Sequence, residues 1–128
     1  MRAQASLEFL FLLAAFLSFL ALLLPAINDF QKAASTRLDA ELALLVASDI
    51  AGAASEVCAA GEGSERELVV RLGRHANIYG DGRFVVVRLP SNLSFARAGC
   101  VVDGFVSVNG TARLKVRNEG GLAKLGNA

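Results

Sequence analysis

The chain has 128 residues, with 13 lysines and arginines against 12 acidic residues, and its formal net charge is +1. Hydrophobic residues make up 54% of it, which exceeds the usual share in soluble domains, and the length suits one small domain with a long appendage. A single histidine, two cysteines and near-zero charge predict that the chain is not an enzyme, holds no cofactor or metal, takes no small-molecule substrate and does not bind nucleic acid.

The first predicted element is an apolar helix at Phe9–Ile27, where 19 residues carry no charge. Such a helix is about 28 Å long, close to the hydrocarbon thickness of a bilayer, which is about 30 Å. It has no polar face, so we expect it to lie in lipid or in an equally dry environment. This apolar run has three possible explanations. It is a cleaved secretory signal, an uncleaved signal anchor, or a signal of a third kind that depends on the residues before Phe9.

A carboxylate lies directly before this run, at Glu8. An ionised carboxylate inside a bilayer costs on the order of 2.5–3.5 kcal/mol on insertion scales, so charged groups there usually have a function. The alternative is that Glu8 only marks the membrane edge, in the headgroup layer.

The residues around Glu8 support the third alternative. Gln4, Ser6 and Glu8 form the pattern Gln-x-Ser-x-Glu in front of an apolar helix. This pattern resembles the class III signal peptide of archaeal type IV pilin-like proteins. The resemblance implies a leader of residues 1–3, cleavage between Ala3 and Gln4 by a prepilin peptidase, and a transmembrane or filament-core helix over residues 4–27.

The same resemblance implies a function. The chain is expected to be a structural subunit, held in the membrane by one span before assembly and then polymerised with copies of itself into a helical filament on the cell surface. Glu8 of one subunit would then neutralise the new amine of Gln4 in a neighbour. A minor pilin or pseudopilin for secretion, adhesion or DNA uptake, and an uncleaved single-span protein with an extracellular binding head, remain the alternatives.

An amphipathic continuation of the helix is predicted over residues 28–61. Apolar residues recur there at steps of three and four, which indicates one buried stripe: Leu38, Leu42, Leu45, Val46, Ile50, Ala53 and Val57. The run Gly61–Ser64 predicts the end of the helix. Pro25 predicts a kink, and the alternative is two helices joined by a turn near Asn28 and Asp29.

Residues 62–128 are predicted to form a small β-rich head. Alternating Val, Ile and Phe residues between glycine-rich turns predict strands near 67–72, 76–79, 83–89, 101–108 and 112–117. The fold class is therefore α+β, a long N-terminal hydrophobic helix packed on an antiparallel sheet of about four to five strands. A head this small needs the apolar stripe of the helix to complete its core.

Two turns and one loop or edge segment are predicted between the strands of the head. Asn109-Gly110 predicts a type I′ hairpin in which Phe105 faces Leu114 and Ser107 faces Ala112. Residues 80–82 predict a second turn, and residues 90–99 predict a loop or a short edge strand.

The two cysteines lie at the end of the helix and at the start of a strand, as Cys58 and Cys100. The pilin-like topology implies an extracellular head, where these cysteines would form a disulfide. The alternative is a pair of buried free thiols.

Two weaker signals concern the surface. Asn92 and Asn109 each begin an N-glycosylation pattern, and Asn92 is the better candidate because Asn109 is needed in the predicted hairpin. Residues 28–62 hold six acids and two bases, whereas residues 63–128 hold five acids and ten bases. These charged residues either form ordinary solvated surfaces, or they let the basic head of one subunit contact the acidic helix of another.

Overall fold

The computed structural model describes residues 2–128. Its first element is a single helix, α1, at Arg2–Ala60, with Pro25 inside it. The helix continues through Asn28 and Asp29, so the alternative of a turn at that point is wrong. The chain forms two units, one ending at Ser35 and the other spanning Thr36–Ala128, and each is described by itself below.

Eight strands follow the helix in the second unit. They are β1 (Glu65–Arg71), β2 (Ala76–Asp81), β3 (Phe84–Arg88), β4 (Leu93–Arg97), β5 (Val102–Asp103), β6 (Phe105–Val108), β7 (Thr111–Glu119) and β8 (Leu122–Asn127). They form two four-stranded sheets rather than one, with the orders β1-β7-β8-β5 and β4-β3-β2-β6. We call these the first and the second sheet. Only the β5–β8 pair is parallel, and every other described pair is antiparallel. The α+β class is confirmed.

The core lies where the C-terminal part of α1 meets the inner faces of both sheets. Its largest fully buried side chains come from all three layers: Ile50, Ile78, Val85, Val87, Val106, Val108, Leu114 and Val116. A single cluster of apolar side chains therefore joins the helix to the sheets, as expected for a head too small to form a core alone.

The buried face of the helix is rotated relative to the predicted stripe. Residues Val46, Ile50, Ala53 and Val57 are buried as predicted, but Leu38, Leu42 and Leu45 are exposed. The remaining buried positions are alanines, namely Ala43, Ala47, Ala51 and Ala54. The small side chain of alanine lets the helix backbone approach the sheets closely, and this packing turns the leucines outward.

The prediction of a hairpin at Asn109-Gly110 is wrong. Its first strand, β6, pairs with β2 of the second sheet, whereas β7 pairs with β1 and β8 of the first. A type I′ turn needs a positive φ at both central residues, but only Gly110, at 80°, has one. The segment instead carries the chain from one sheet to the other, so Phe105 does not face Leu114.

The register of the other predicted pair is wrong for the same reason. Ser107 lies opposite Asn77 of β2, and Ala112 lies opposite Val70 of β1. The predicted strand at 101–108 is also divided, because Gly104 (φ 123°) separates β5 in the first sheet from β6 in the second.

Other local predictions are confirmed. The helix ends at Ala60, and Gly61 takes a φ of 103°. A hairpin joins β2 to β3 through Gly82, whose φ is 58°. Of the two alternatives for residues 90–99 the edge strand is the observed one, since β4 lies at one side of the second sheet. Strand β8 was not predicted.

The disulfide between Cys58 and Cys100 is present. It joins the last turn of α1 to the segment before β5 and closes a loop of 42 residues in sequence separation. Beside it, the amide of Gly99 donates a hydrogen bond to Ser55 Oγ at 2.7 Å. The helix is thus fastened to the sheets next to their common core.

Candidate assembly site

The predicted processing and assembly residues lie in the first turns of α1. Ala3, Gln4, Ser6 and Glu8 are all helical and all exposed in the described part of the chain. Gln4 and Glu8 are four residues apart and therefore lie on the same side of the helix. Among residues 2–128, Glu8 forms no ion pair. Its carboxylate is consequently available to a group from another molecule.

The surface that follows Glu8 is apolar on every side. All residues from 9 to 27 are exposed, including the aromatic side chains Phe9, Phe11, Phe16 and Phe19. Within the described residues, α1 is the one helix long and apolar enough to cross a membrane. Such a surface is unfavourable in water, at about 25 cal/mol for each Å² of apolar area. The segment is therefore a candidate membrane span.

The polar side chain within this segment is accommodated by the helix itself. Ser18 Oγ donates a hydrogen bond to the carbonyl oxygen of Ala14 at 2.8 Å. This bond satisfies the hydroxyl without water, which is the requirement for a polar group in hydrocarbon. Ala14, Ser18 and Ala21 are spaced by four and three residues, so they form a narrow strip of small side chains along one side of the helix. A second helix can approach closely along such a strip.

The glycosylation candidates differ in accessibility. Asn92 is half-buried and its Oδ1 accepts a hydrogen bond from the amide of Leu93 at 3.0 Å, while Ser94, the third residue of that pattern, is buried. Asn109 and Thr111 are both exposed. In the folded head, accessibility therefore favours Asn109 over Asn92.

The residues described form no metal centre. No group of three or more His, Cys, Asp or Glu side chains there is placed to hold a metal ion. The single histidine, His75, has its Nε2 atom 3.3 Å from Ser107 Oγ on the surface.

The structure adds a surface that the sequence analysis missed. The outer side of the second sheet carries Tyr79, Phe84, Val86, Leu93, Phe95 and Phe105, which we call the aromatic face. Because side chains alternate between the two faces of a strand, the sequence indicated which of these residues lie on the same face within each strand. The register between the four strands, which places them on one surface, was visible only in the structure.

Comparison with known proteins identifies no relative: no protein-family model, curated protein or solved structure matches the chain.

Proposed function

We propose that the chain is the precursor of a structural subunit that polymerises into a pilus-like filament on the cell surface. The observation that carries the proposal is an apolar helix surface at Phe9–Ile27 that is exposed along its whole length, directly after the exposed carboxylate of Glu8. The Gln4-x-Ser6-x-Glu8 pattern of archaeal pilin-like precursors supports it. In the proposed route, the helix holds the subunit in the membrane until a prepilin peptidase cuts between Ala3 and Gln4.

Assembly exchanges a lipid environment for a bundle of identical helices. Lipid tails are as apolar as leucine, so the free energy must come from close packing and from polar pairing. The strip of Ala14, Ser18 and Ala21 supplies the close packing. The Glu8 carboxylate pairs with the amine that cleavage creates on Gln4 of a neighbouring subunit.

This charge pair sets the stagger of the subunits more than it adds stability. Desolvation cancels much of the attraction between two buried charges, but a carboxylate left without its partner in a dry bundle is strongly unfavourable. Registers that separate Glu8 from a neighbouring Gln4 amine are therefore disfavoured. The function of Glu8 in this proposal is to select one register.

The first experiment reads the N-terminus of the native protein. Mass spectrometry of protein from membranes and from sheared surface filaments is expected to give a chain that begins at Gln4. Electron microscopy of the sheared fraction is expected to show filaments that contain it. A chain that retains Met1 and occurs only as a membrane monomer would contradict the proposal and favour a single-span anchored protein.

The first prediction concerns Glu8→Gln. The variant keeps the size of the side chain but removes the charge, so filament yield should fall by about tenfold or more if the register preference is worth about 1.4 kcal/mol. Sheared filaments are quantified by immunoblot against total membrane protein. Glu62→Gln is the matched control, since Glu62 is also exposed but lies beyond the helix, and it should assemble normally. Normal filaments from Glu8→Gln would overturn the assigned function of this carboxylate.

A further inference from the structure

A row of polar side chains crosses the outer side of the second sheet, next to the aromatic face. Arg88 of β3 and Asn77 of β2 lie directly opposite each other, and Ser107 of β6 lies opposite Asn77. His75, just before β2, extends the row, with its Nε2 atom 3.3 Å from Ser107 Oγ. We call these four side chains the polar row. Side chains that lie opposite each other on neighbouring strands are about 5 Å apart, so one small ligand can reach several of them.

Two surface depressions meet at Arg88. The larger, of about 390 Å³, is lined by Tyr79, Arg88, Leu89, Ser91, Asn92 and Leu93. The smaller, of about 120 Å³, is lined by His75, Asn77, Arg88, Leu89 and Pro90. Sites for small molecules have volumes of about 300–1,000 Å³, so the larger depression is of suitable size.

The wall formed by the turn between β3 and β4 is well ordered. Leu89 and Asn92 exchange two backbone hydrogen bonds, of 2.8 and 3.3 Å, across this turn. Pro90, inside the turn, has a fixed φ. The Oδ1 atom of Asn92 accepts a hydrogen bond from the amide of Leu93, and its Nδ2 group remains a donor for a ligand. A ligand therefore meets a wall that is arranged before binding, which lowers the entropic cost of binding.

The charge that lines the depressions is positive. Arg88 is exposed and forms no ion pair within residues 2–128. Among the described residues, no Asp or Glu lines either depression. The other cation next to the polar row, Arg74, is already balanced, because its Nε atom lies 3.1 Å from Asp39 Oδ2. A ligand in either depression therefore meets one unpaired positive charge.

Two acids near this surface do not cancel that charge. Asp81 is on the same side of the sheet but four residues along β2 from Asn77, about 13 Å away, and the screening length at physiological salt is about 8 Å. Glu41 of α1 lines a separate groove beside Leu93 and forms no ion pair with Arg88. Both acids are exposed to water, which weakens their effect on Arg88.

A single arginine matches a carboxylate better than a phosphate. The guanidinium group can form two parallel hydrogen bonds with either anion. A phosphate monoester, however, carries a charge of about −1.5 to −2, and its sites commonly add a helix N-terminus or a glycine-rich nest. Neither feature lines the two depressions. A carboxylate carries one negative charge, which Arg88 alone can balance.

The other lining groups match the hydroxyl groups of a sugar. The side-chain amides of Asn77 and Asn92 and the hydroxyl of Ser91 both donate and accept hydrogen bonds, as sugar hydroxyls do. Tyr79 is half-buried and adds an aromatic surface with a polar end to the larger depression. A nucleic-acid strand would instead require a series of cations along its phosphates.

We propose that this surface binds an acidic sugar, the uronic acid unit of a polysaccharide. Arg88 pairs with the carboxylate, the amides of Asn77 and Asn92 bind hydroxyl groups, and Tyr79 packs against the sugar ring. The site lies on the head of a single chain. The proposal therefore goes beyond filament assembly and does not depend on it.

The test measures retention of the purified full-length protein, in detergent, on immobilised polygalacturonate. We expect retention that falls as salt rises, and no retention on neutral dextran. Arg88→Gln should weaken binding by about tenfold or more, because it removes a hydrogen-bonded charge pair. Asn77→Asp places a carboxylate opposite Arg88 and should weaken binding as well. Wild-type retention by these two variants would overturn the site.

Arg97→Gln is the matched control. Arg97 is exposed, forms no ion pair in the described part of the chain and lies opposite Phe84 on the same side of the sheet, but it lines neither depression. The variant removes the same charge as Arg88→Gln and should bind like the wild type. An equal loss in both variants would show that general charge retains the polymer, and the site would be refuted. The urea midpoints of the variants separate a loss of binding from a loss of folding.

Competition distinguishes the classes of ligand. Soluble oligogalacturonate should release the wild-type protein from the column. Oligothymidylate and polyphosphate, at the same concentration of charge, should release much less. Stronger release by either phosphate polymer would contradict the assignment of an acidic sugar. Loss of the sugar site would leave the proposed filament function intact, because the N-terminus and the filaments are examined separately.

Discussion

A single buried asparagine connects the helix to the first sheet. The Nδ2 atom of Asn118 donates a hydrogen bond to the carbonyl oxygen of Val57 at 3.2 Å, and its Oδ1 accepts one from the amide of Gly121 at 3.1 Å. The side chain is 3% exposed. It therefore satisfies the carbonyl of the buried residue Val57 near the end of α1 and the amide of Gly121 in the turn between β7 and β8.

Asn118→Ala should therefore destabilise the head. The buried carbonyl of Val57 loses this partner, which costs about 1–3 kcal/mol, and the exposed Gly121 amide loses a bond that water can replace. The loss is measured as a lower urea midpoint for the purified full-length protein, followed by the fluorescence of its single tyrosine, Tyr79. Asn127→Ala, which changes an exposed asparagine of β8, is the control and should leave the midpoint nearly unchanged. Equal midpoints for the two variants would contradict the connecting function of Asn118.

At the scale of the elements, the decisive feature is the point where one strand becomes two. Gly104 lies between β5 and β6 with a φ of 123°, and a side chain there would overlap the carbonyl oxygen of Leu125 in β8. Glycine at this position lets the chain leave the first sheet and enter the second within one residue.

Replacing this glycine should disrupt the division between the sheets. Gly104→Ala introduces both an unfavourable φ and a collision with backbone, whereas Gly82→Ala introduces only the φ, because nothing lies within 4 Å of its added carbon. We expect Gly82→Ala to cost about 1–2 kcal/mol and Gly104→Ala to cost clearly more. Resistance of the head to limited proteolysis measures the difference. A Gly104→Ala head as resistant as the Gly82→Ala head would refute this explanation.

Local signals predicted the elements better than their arrangement. The end of α1 at Gly61 and the hairpin through Gly82 follow from backbone preferences of a few residues, and both were predicted. The assignment of strands to two sheets depends on long-range packing. The dipeptide Asn109-Gly110 can form a hairpin within one sheet or connect two sheets, so its sequence does not distinguish the two arrangements. Strand β8 escaped prediction because Leu122–Asn127 contains no β-branched or aromatic residue.

Some features of the candidate site could likewise be predicted from the sequence, and others could not. The Gln4-x-Ser6-x-Glu8 pattern is contiguous and could be read from the chain. The aromatic face combines residues from four strands, so its existence depends on the register. The exposure of Leu38, Leu42 and Leu45 depends on which side of α1 packs on the sheets. That side carries small residues such as Ala43 and Ala47, which allow close packing.

At the scale of the whole molecule, the head is stabilised by a small core and one covalent link. The Cys58–Cys100 disulfide spans 42 residues and connects the helix to the sheets. Chain-entropy arguments assign about 4 kcal/mol to a loop of this size. The total stability of a native domain is about 5–15 kcal/mol, so this link supplies a large share of it.

Replacing Cys100 by Ser should accordingly lower the free energy of unfolding of the head by about 4 kcal/mol. Urea unfolding of the full-length protein under oxidising conditions measures the loss, again through Tyr79 fluorescence. Reduction of the wild-type protein should reproduce the effect, and it should not alter the Cys100→Ser variant further. Unchanged unfolding after reduction would show that the core alone stabilises the head.

The position of β8 has a consequence for biogenesis. It is the last strand of the head in chain order, yet it lies inside the first sheet, between β7 and β5. Its neighbour β5 has only two residues and no other partner in that sheet. The ribosome must therefore have delivered residue 127 before this sheet can close. A chain that stops before β8 lacks the strand that joins β5 to β7, so it cannot form the first sheet.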